Sequence, residues 1–186
     1  VKRIDTGLPG LFLVEPRVFR DQRGFFLESY RRSFLAEACG RDVEFVQDNH
    51  ALSTTAGVLR GLHFQRPPAA QAKLVRVTRG AVLDVAVDLR TGSPTYGRSY
   101  ATELSADNFL QLFIPRGFAH GYLTLTDNVE FEYKVDAYYA PEHDAGLAWN
   151  DPDLGIDWPV DGPVLSDKDR ALPPFAGFVS PFVFNE

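Results

Sequence analysis

The stretch Gly57–Gly80, GVLRGLHFQRPPAAQAKLVRVTRG, decides how the rest of the chain is read. Apolar and polar residues alternate on either side of Pro67-Pro68, the period of half-buried strands. Yet Arg60, His63 and Lys73 occupy places where a packed core has no use for charge. The inner face of a wide β-barrel lines a ligand cavity, and there alternate positions are free to be polar. Working outward, KLVRVTRGAVLDVAVDL alternates about a turn at Arg79-Gly80, with Val75, Val77, Val82, Val85 and Val87 as core positions. SYATEL, FLQLFI, HGYLTLT and VEFEYKVDAYY continue the pattern at short intervals, and GLFLVEPRVF and GFFLESY flank the turn RDQRG. Only RRSFLAEACG has helical spacing (Phe34, Leu35, Ala38, Cys39) with a stop at Gly40. Many short strands without alternating helices predict an all-β sandwich or barrel.

At 186 residues, with no internal repeat or linker, the chain is expected to form a single domain over 1–186. The segment from Asp151 to the end, rich in Asp, Pro and Gly, is expected to wrap the sheet surface. A net charge of −6 argues against nucleic-acid binding, although a local arginine cluster still suits a small anion. No apolar run approaches the roughly 20 residues that cross a bilayer, so no membrane partner is expected. Cys39 is the only cysteine, which excludes an intrachain disulfide and a cysteine-based metal site; the expected compartment is the reducing cytoplasm.

Two motifs give the histidines a context. Gly57 followed at the right distance by His63 resembles the first motif of cupin-type jelly-roll barrels, and PRGFAHG (Pro115–Gly121) resembles the second. In a metal cupin His63 and His120 would be ligands, joined by a histidine at 65 and a glutamate near 69 or 70. Those positions hold Gln65, Ala69 and Ala70. Two imidazoles alone do not make a stable divalent site, so the expectation is a barrel without metal or other cofactor.

A more specific resemblance covers nearly the whole chain. RDQRGFFLES, QDNHALS, GVLRGLHFQ, AKLVRVTRGAVLDVAVDLR, FIPRGFAHGYL, YKVDAYYAPEHD and LSDKDRAL are similar, in that order, to the dTDP-4-dehydrorhamnose 3,5-epimerase family. That resemblance implies a metal-free cupin acting on a nucleotide-linked 4-keto-6-deoxyhexose. The C4 ketone acidifies the hydrogens on C3 and C5, so each centre can invert through an enolate. Such chemistry asks for a base on one face, a proton donor on the other and a cation near the enolate oxygen.

By resemblance, His63 is the base, a role suited to an imidazole that titrates near working pH, and Asp169 its orienting carboxylate. Tyr133 resembles the proton donor, and Lys73 is the candidate for the enolate oxygen. Arg23 and Arg60 are suited to diphosphate oxygens, with Lys168 adding charge. Glu28, Gln47 and Asn49 resemble residues that contact the nucleotide or hold its strand, and Phe26 and Tyr138 are stacking surfaces for thymine. His120 resembles a sugar contact, and Tyr139 shapes the pocket behind Tyr133. Asp144 departs from the pattern, because many family members carry glutamate there; the shorter side chain loses a ligand contact or reaches it through water. A homodimer is expected, as in the family, with the N-terminal strands (about 1–50) carrying Arg23, Phe26 and Glu28 to the partner's site.

Three other readings stand beside this one. A single-centre epimerase for natural-product deoxysugars would share the base and the donor. A non-catalytic sugar-nucleotide-binding cupin would have no use for an acid and a base on opposite faces. A metal-dependent cupin oxygenase or isomerase is opposed by the residues at 65, 69 and 70.

Overall fold

Pro16 and Arg17 interrupt the first apolar run, and the segment expected to be one strand is two. Proline has no N–H to give to a ladder, so pairing stops at it. In the computed structural model, which describes residues 1–185, β2 (Phe12–Glu15) joins a large sheet while β3 (Val18–Asp21) leaves it to pair with β4 (Gly24–Leu27).

The remaining strands are β1 (Lys2–Asp5), β5 (Gln47–Ser53), β6 (Leu59–Gln65), β7 (Lys73–Arg79), β8 (Ala81–Asp88), β9 (Ser99–Ser105), β10 (Gln111–Ile114), β11 (Phe118–Thr124), β12 (Val129–Val135) and β13 (Asp144–Gly146). They form two antiparallel sheets, ordered β1-β2-β10-β7-β12-β5 and β13-β6-β11-β8-β9. The architecture is the cupin-type jelly roll. Among the described residues two α-helices accompany it, α1 (Arg32–Cys39) and α2 (Asp167–Arg170), with a 3-10 turn at Pro141–His143.

The expected core valines divide between two faces. Val75, Val77 and Val82 meet Leu104, Leu112 and Phe131 between the sheets. Val85 and Val87 point the other way and pack with Leu59, Leu62 and Phe64 beneath Leu154, Trp158 and Phe182 of the C-terminal segment. β8 is therefore buried on both faces, which is why it reads as a nearly continuous apolar run. The segment is tied down by bridges from Val164 to Val58 and from Val183 to Thr91. Asp151 also accepts from the backbone N–H of Phe175 at 2.7 Å. The outer face of the larger sheet is covered at one end by α1, whose Leu35 packs on Phe12, Val14, Leu74 and Phe113. The helix ends where Gly40 takes the left-handed conformation, φ 67°.

Candidate active site

Arg60 and His63 lie three residues apart on β6, a separation that sends side chains to opposite faces of a regular strand. Both nevertheless line one cavity of about 520 Å³ between the sheets. The cause is a slip in register against β11: His63 lies opposite His120 and Arg60 opposite Tyr122, so Gly61 and Leu62 share the place of Gly121. This β-bulge re-aims the strand. It demands glycine at the crossing. A Cβ on Gly61, whose φ is +132°, would sit 2.6 Å from Gly121 Cα and 2.8 Å from the His120 carbonyl oxygen.

His63 meets its carboxylate from the far end of the chain. Ser166 caps α2 by accepting from the Asp169 backbone N–H at 3.1 Å, which turns the Asp169 side chain inward. Asp169 Oδ1 then lies 2.5 Å from His63 Nε2, leaving Nδ1 as the other ring nitrogen. Burial pushes the Asp169 carboxyl up, but the hydrogen bond and charge of His63, with help from Ser166, bring it below its ordinary value. An ionised carboxylate there orients the ring and favours the imidazolium that forms when the free nitrogen takes a proton.

The opposite wall belongs to the other sheet. Tyr133 of β12 and Lys73 of β7 both line the cavity. Burial raises the Tyr133 phenol above its usual value, so it holds its proton through the neutral range. Burial also lowers Lys73 to about 8, against the opposing pull of Asp84 and Asp144. Tyr122 stacks on Phe131 with centroids 4.0 Å apart and forms another part of the lining; burial pushes its phenol up to about 12.

Cationic side chains gather with these groups. Arg60 is steadied by Ser53 Oγ and the Leu52 carbonyl, each 3.3 Å from its guanidinium. Asp144 ties two neighbours together: it accepts from the Tyr139 hydroxyl at 3.2 Å and pairs with Lys168. The charge of Asp144 is the main reason the Tyr139 phenol is raised.

The second cavity histidine has its own carboxylate. His120 Nε2 lies 3.0 and 3.1 Å from the two oxygens of Asp84, which is fully buried. Burial lowers the His120 pKa more than Asp84 restores it, which favours the neutral ring, with Nε2 as the nitrogen that faces Asp84. The carboxamide of Gln65, at the position where a metal cupin places a histidine, is bound to backbone atoms of two loops. Among the described residues no three His, Cys, Asp or Glu side chains converge as a metal site would require. Asp84, Gln71 and Tyr122 were not singled out from the sequence, and Gln65 was noted only as standing where a metal cupin places a histidine. The only signal was an aspartate inside the apolar run AVLDVAV, a place where a charge needs a partner.

Nine of the expected residues share this cavity: Arg60, His63, Lys73, His120, Tyr133, Tyr139, Asp144, Lys168 and Asp169. Six do not line it. Arg23 and Phe26 lie on the β3–β4 hairpin around a separate recess, Arg23 paired with Asp21 at 2.6 Å and Phe26 69% exposed. The hairpin touches the body through Phe25 on Phe109, and β3 and β4 pair only with each other. Glu28 is paired with Arg31 at 2.7 Å. Gln47 accepts from the Tyr139 backbone N–H at 3.0 Å and donates to Asn49 at 2.9 Å, so this pair braces a loop. Tyr138 is 70% exposed.

Comparison with known proteins fits this geometry. The family model described as dTDP-4-dehydrorhamnose 3,5-epimerase matches residues 5–177. The chain is 54% identical to the dTDP-4-dehydrorhamnose 3,5-epimerase of Pseudomonas aeruginosa PAO1, over 95% of this chain and 97% of that one. It is 52% identical to the crystal structure of the corresponding Bacillus anthracis protein with TDP and PPi bound, with a TM-score of 0.90 and coverage of 94% and 99%. A Legionella pneumophila epimerase in complex with dTDP-4-keto-L-rhamnose is 44% identical, with a TM-score of 0.88 and coverage of 93% and 92%. The chain belongs to the dTDP-4-dehydrorhamnose 3,5-epimerase family.

Proposed function

We propose that this protein is an isomerase that inverts C3 and C5 of a dTDP-4-keto-6-deoxyhexose. The observation that carries the reading is the His63–Asp169 pair on one wall of the cavity with Tyr133 and Lys73 on the opposite sheet. The neutral ring of His63 takes the proton from the carbon beside the ketone. The C–H electron pair becomes the C=C bond of an enolate, and the carbonyl electrons move to O4, where the Lys73 ammonium stabilises them. Tyr133 returns a proton to the other face of the same carbon, and the enolate collapses back to the ketone with that centre inverted. The His63 imidazolium then gives its proton to solvent and the Tyr133 phenolate regains one from solvent, which restores both groups. Repetition at the second carbon completes the double inversion without any change of oxidation state.

Arg60 and Lys168 are the diphosphate contacts of this reading, supported by their place beside the same cavity. The working unit is a homodimer in which the partner's β3–β4 hairpin brings Arg23 and Phe26 to the nucleotide. The exposed Phe19, Phe25 and Phe26 on a hairpin held by few contacts of its own support that arrangement. The half-buried thiol of Cys39 and the absence of a helix apolar and long enough to cross a membrane among the described residues are compatible with a cytoplasmic enzyme.

The test is proton NMR of the protein with dTDP-4-keto-6-deoxyglucose in heavy water. Deuterium entering at both C3 and C5, with formation of the L-lyxo product, is the expected result. Entry at one carbon alone would move the assignment to a single-centre epimerase, and no entry at either would leave the binding-protein reading.

A further inference from the structure

Between β12 and β13 the chain crosses the cavity wall in a loop, Asp136–His143, that carries Tyr138 and Tyr139. Neither aromatic ring is buried against the body, since they are 70% and 56% exposed. Consecutive backbone groups of this loop are held instead by glutamine side chains. Gln71 Nε2 donates to the Ala137 carbonyl at 2.7 Å, and Gln47 Oε1 accepts from the Tyr139 N–H at 3.0 Å. Gln65 does most. Its Nε2 donates to the Tyr138 carbonyl at 3.2 Å and to the Ala69 carbonyl at 2.7 Å, while its Oε1 accepts from the Ala140 N–H at 2.8 Å. Both N–H bonds of the amide and its oxygen are used, and the residue is 4% exposed.

We propose that Gln65 is a positioning residue for ligand binding: it locks the 137–140 loop so that Tyr139 and Asp144 hold Lys168 in place at the cavity. The proposal rests on the sugar-nucleotide reading of the site. The connection runs through named contacts, from Gln65 to the backbone on either side of Tyr139, from the Tyr139 hydroxyl to Asp144, and from Asp144 to Lys168. Only a side chain with donors and an acceptor on one planar group satisfies all three backbone atoms. An ionised glutamate of the same shape would set a negative oxygen against the Tyr138 and Ala69 carbonyls and push the loop off. A protonated glutamic acid recovers one donor. His63 on β6 keeps its Asp169 partner and Tyr133 is placed by the pairing of β12 with β5 and β7, so loss of the amide acts on binding and spares the chemical step.

The experiment compares the full-length parent with Gln65→Glu and Gln71→Ala in steady-state kinetics on dTDP-4-keto-6-deoxyglucose, from pH 6 to pH 8.5. For Gln65→Glu the expected result is a KM at least tenfold above the parent at pH 8, with kcat within threefold. That KM should fall back toward the parent's as the pH approaches 6, because burial against the Ala69 and Tyr138 carbonyls raises the introduced carboxyl and favours its protonated form, while the parent's KM changes less than threefold over the same range. Gln71→Ala, which removes a single anchor, should raise KM threefold or more at every pH with kcat unchanged, and it keeps the test alive if Gln65→Glu does not fold. An unaltered KM in either folded variant, or a loss confined to kcat, overturns the proposal. A parent with no epimerase activity would instead sink the underlying functional reading.

Discussion

His63 Nε2 and Asp169 Oδ1 lie 2.5 Å apart although 106 residues separate them in the chain. The carboxylate reaches the imidazole because the C-terminal segment returns along β6, through the bridge between Val164 and Val58, and starts a capped helical turn just where the cavity wall ends. Replacing Asp169 with asparagine preserves shape and removes the charge that holds the ring and its developing imidazolium. We expect kcat to fall on the order of 10²-fold or more with KM little changed. The Asp169 carboxyl is lowered in the folded protein, so its contribution to stability is present above the ordinary carboxylate range and is lost as pH falls through its folded value. The variant should therefore show a weaker acid destabilisation than the parent in denaturation curves below about pH 4.

Lys73 carries a conflict between stability and function. Its pKa is lowered to about 8 by burial, so the unfolded chain binds its proton more tightly than the folded one, and stability from this group rises with pH from 8 toward its unfolded value. Lys73→Met should raise stability at pH 7 by up to about 3 kcal/mol while abolishing turnover. In the parent, kcat should fall as pH rises through about 8 and the ammonium is lost. That limb should move upward by more than one pH unit in Lys73→Arg, since a guanidinium keeps its charge.

The bulge at Gly61 makes a sharper demand on packing. Gly61→Ala forces a methyl group against Gly121 Cα and the His120 carbonyl, both backbone atoms that have no rotamer to escape into. It should cost about 2–4 kcal/mol in chemical denaturation. Gly57→Ala meets only a methyl of Val160 at 3.9 Å and serves as a control for the strain of a positive φ alone. Equal losses at the two sites would mean that the close approach of β6 and β11 contributes nothing.

Subunit mixing tests the shared site. His63→Asn and Arg23→Ala should each be nearly inactive as homodimers. Refolded or co-expressed together they should recover about a quarter of parental activity, because half the subunits' sites in the heterodimer combine an intact His63 with the partner's intact Arg23. Activity no greater than the sum of the separate variants would place the hairpin outside the partner's site.

Much of this protein was legible without coordinates. Alternation in KLVRVTRGAVLDVAVDL set the strands of β7 and β8 and the turn between them, because inward positions must be apolar wherever a sheet covers a core. The helical spacing of Phe34, Leu35, Ala38 and Cys39 marked the one longer helix, and all four side chains pack on the sheet as that spacing requires. Motif order carried the choice of His63, Tyr133 and Asp169, and nearness to His63 in sequence that of Lys73; all four side chains line the same cavity. Pairings over long separations were a different matter. Nothing local in the chain shows that Arg60 and His63 face one way, since this depends on a register slip against β11. Asp84 became a partner of His120 only once β8 and β11 lay side by side, and Gln65 became a loop anchor only once Ala69, Tyr138 and Ala140 closed around it. Local rules of period and turn are short-range and act on neighbours in sequence; the unsatisfied donors and acceptors of a buried site are matched only when distant strands have already met.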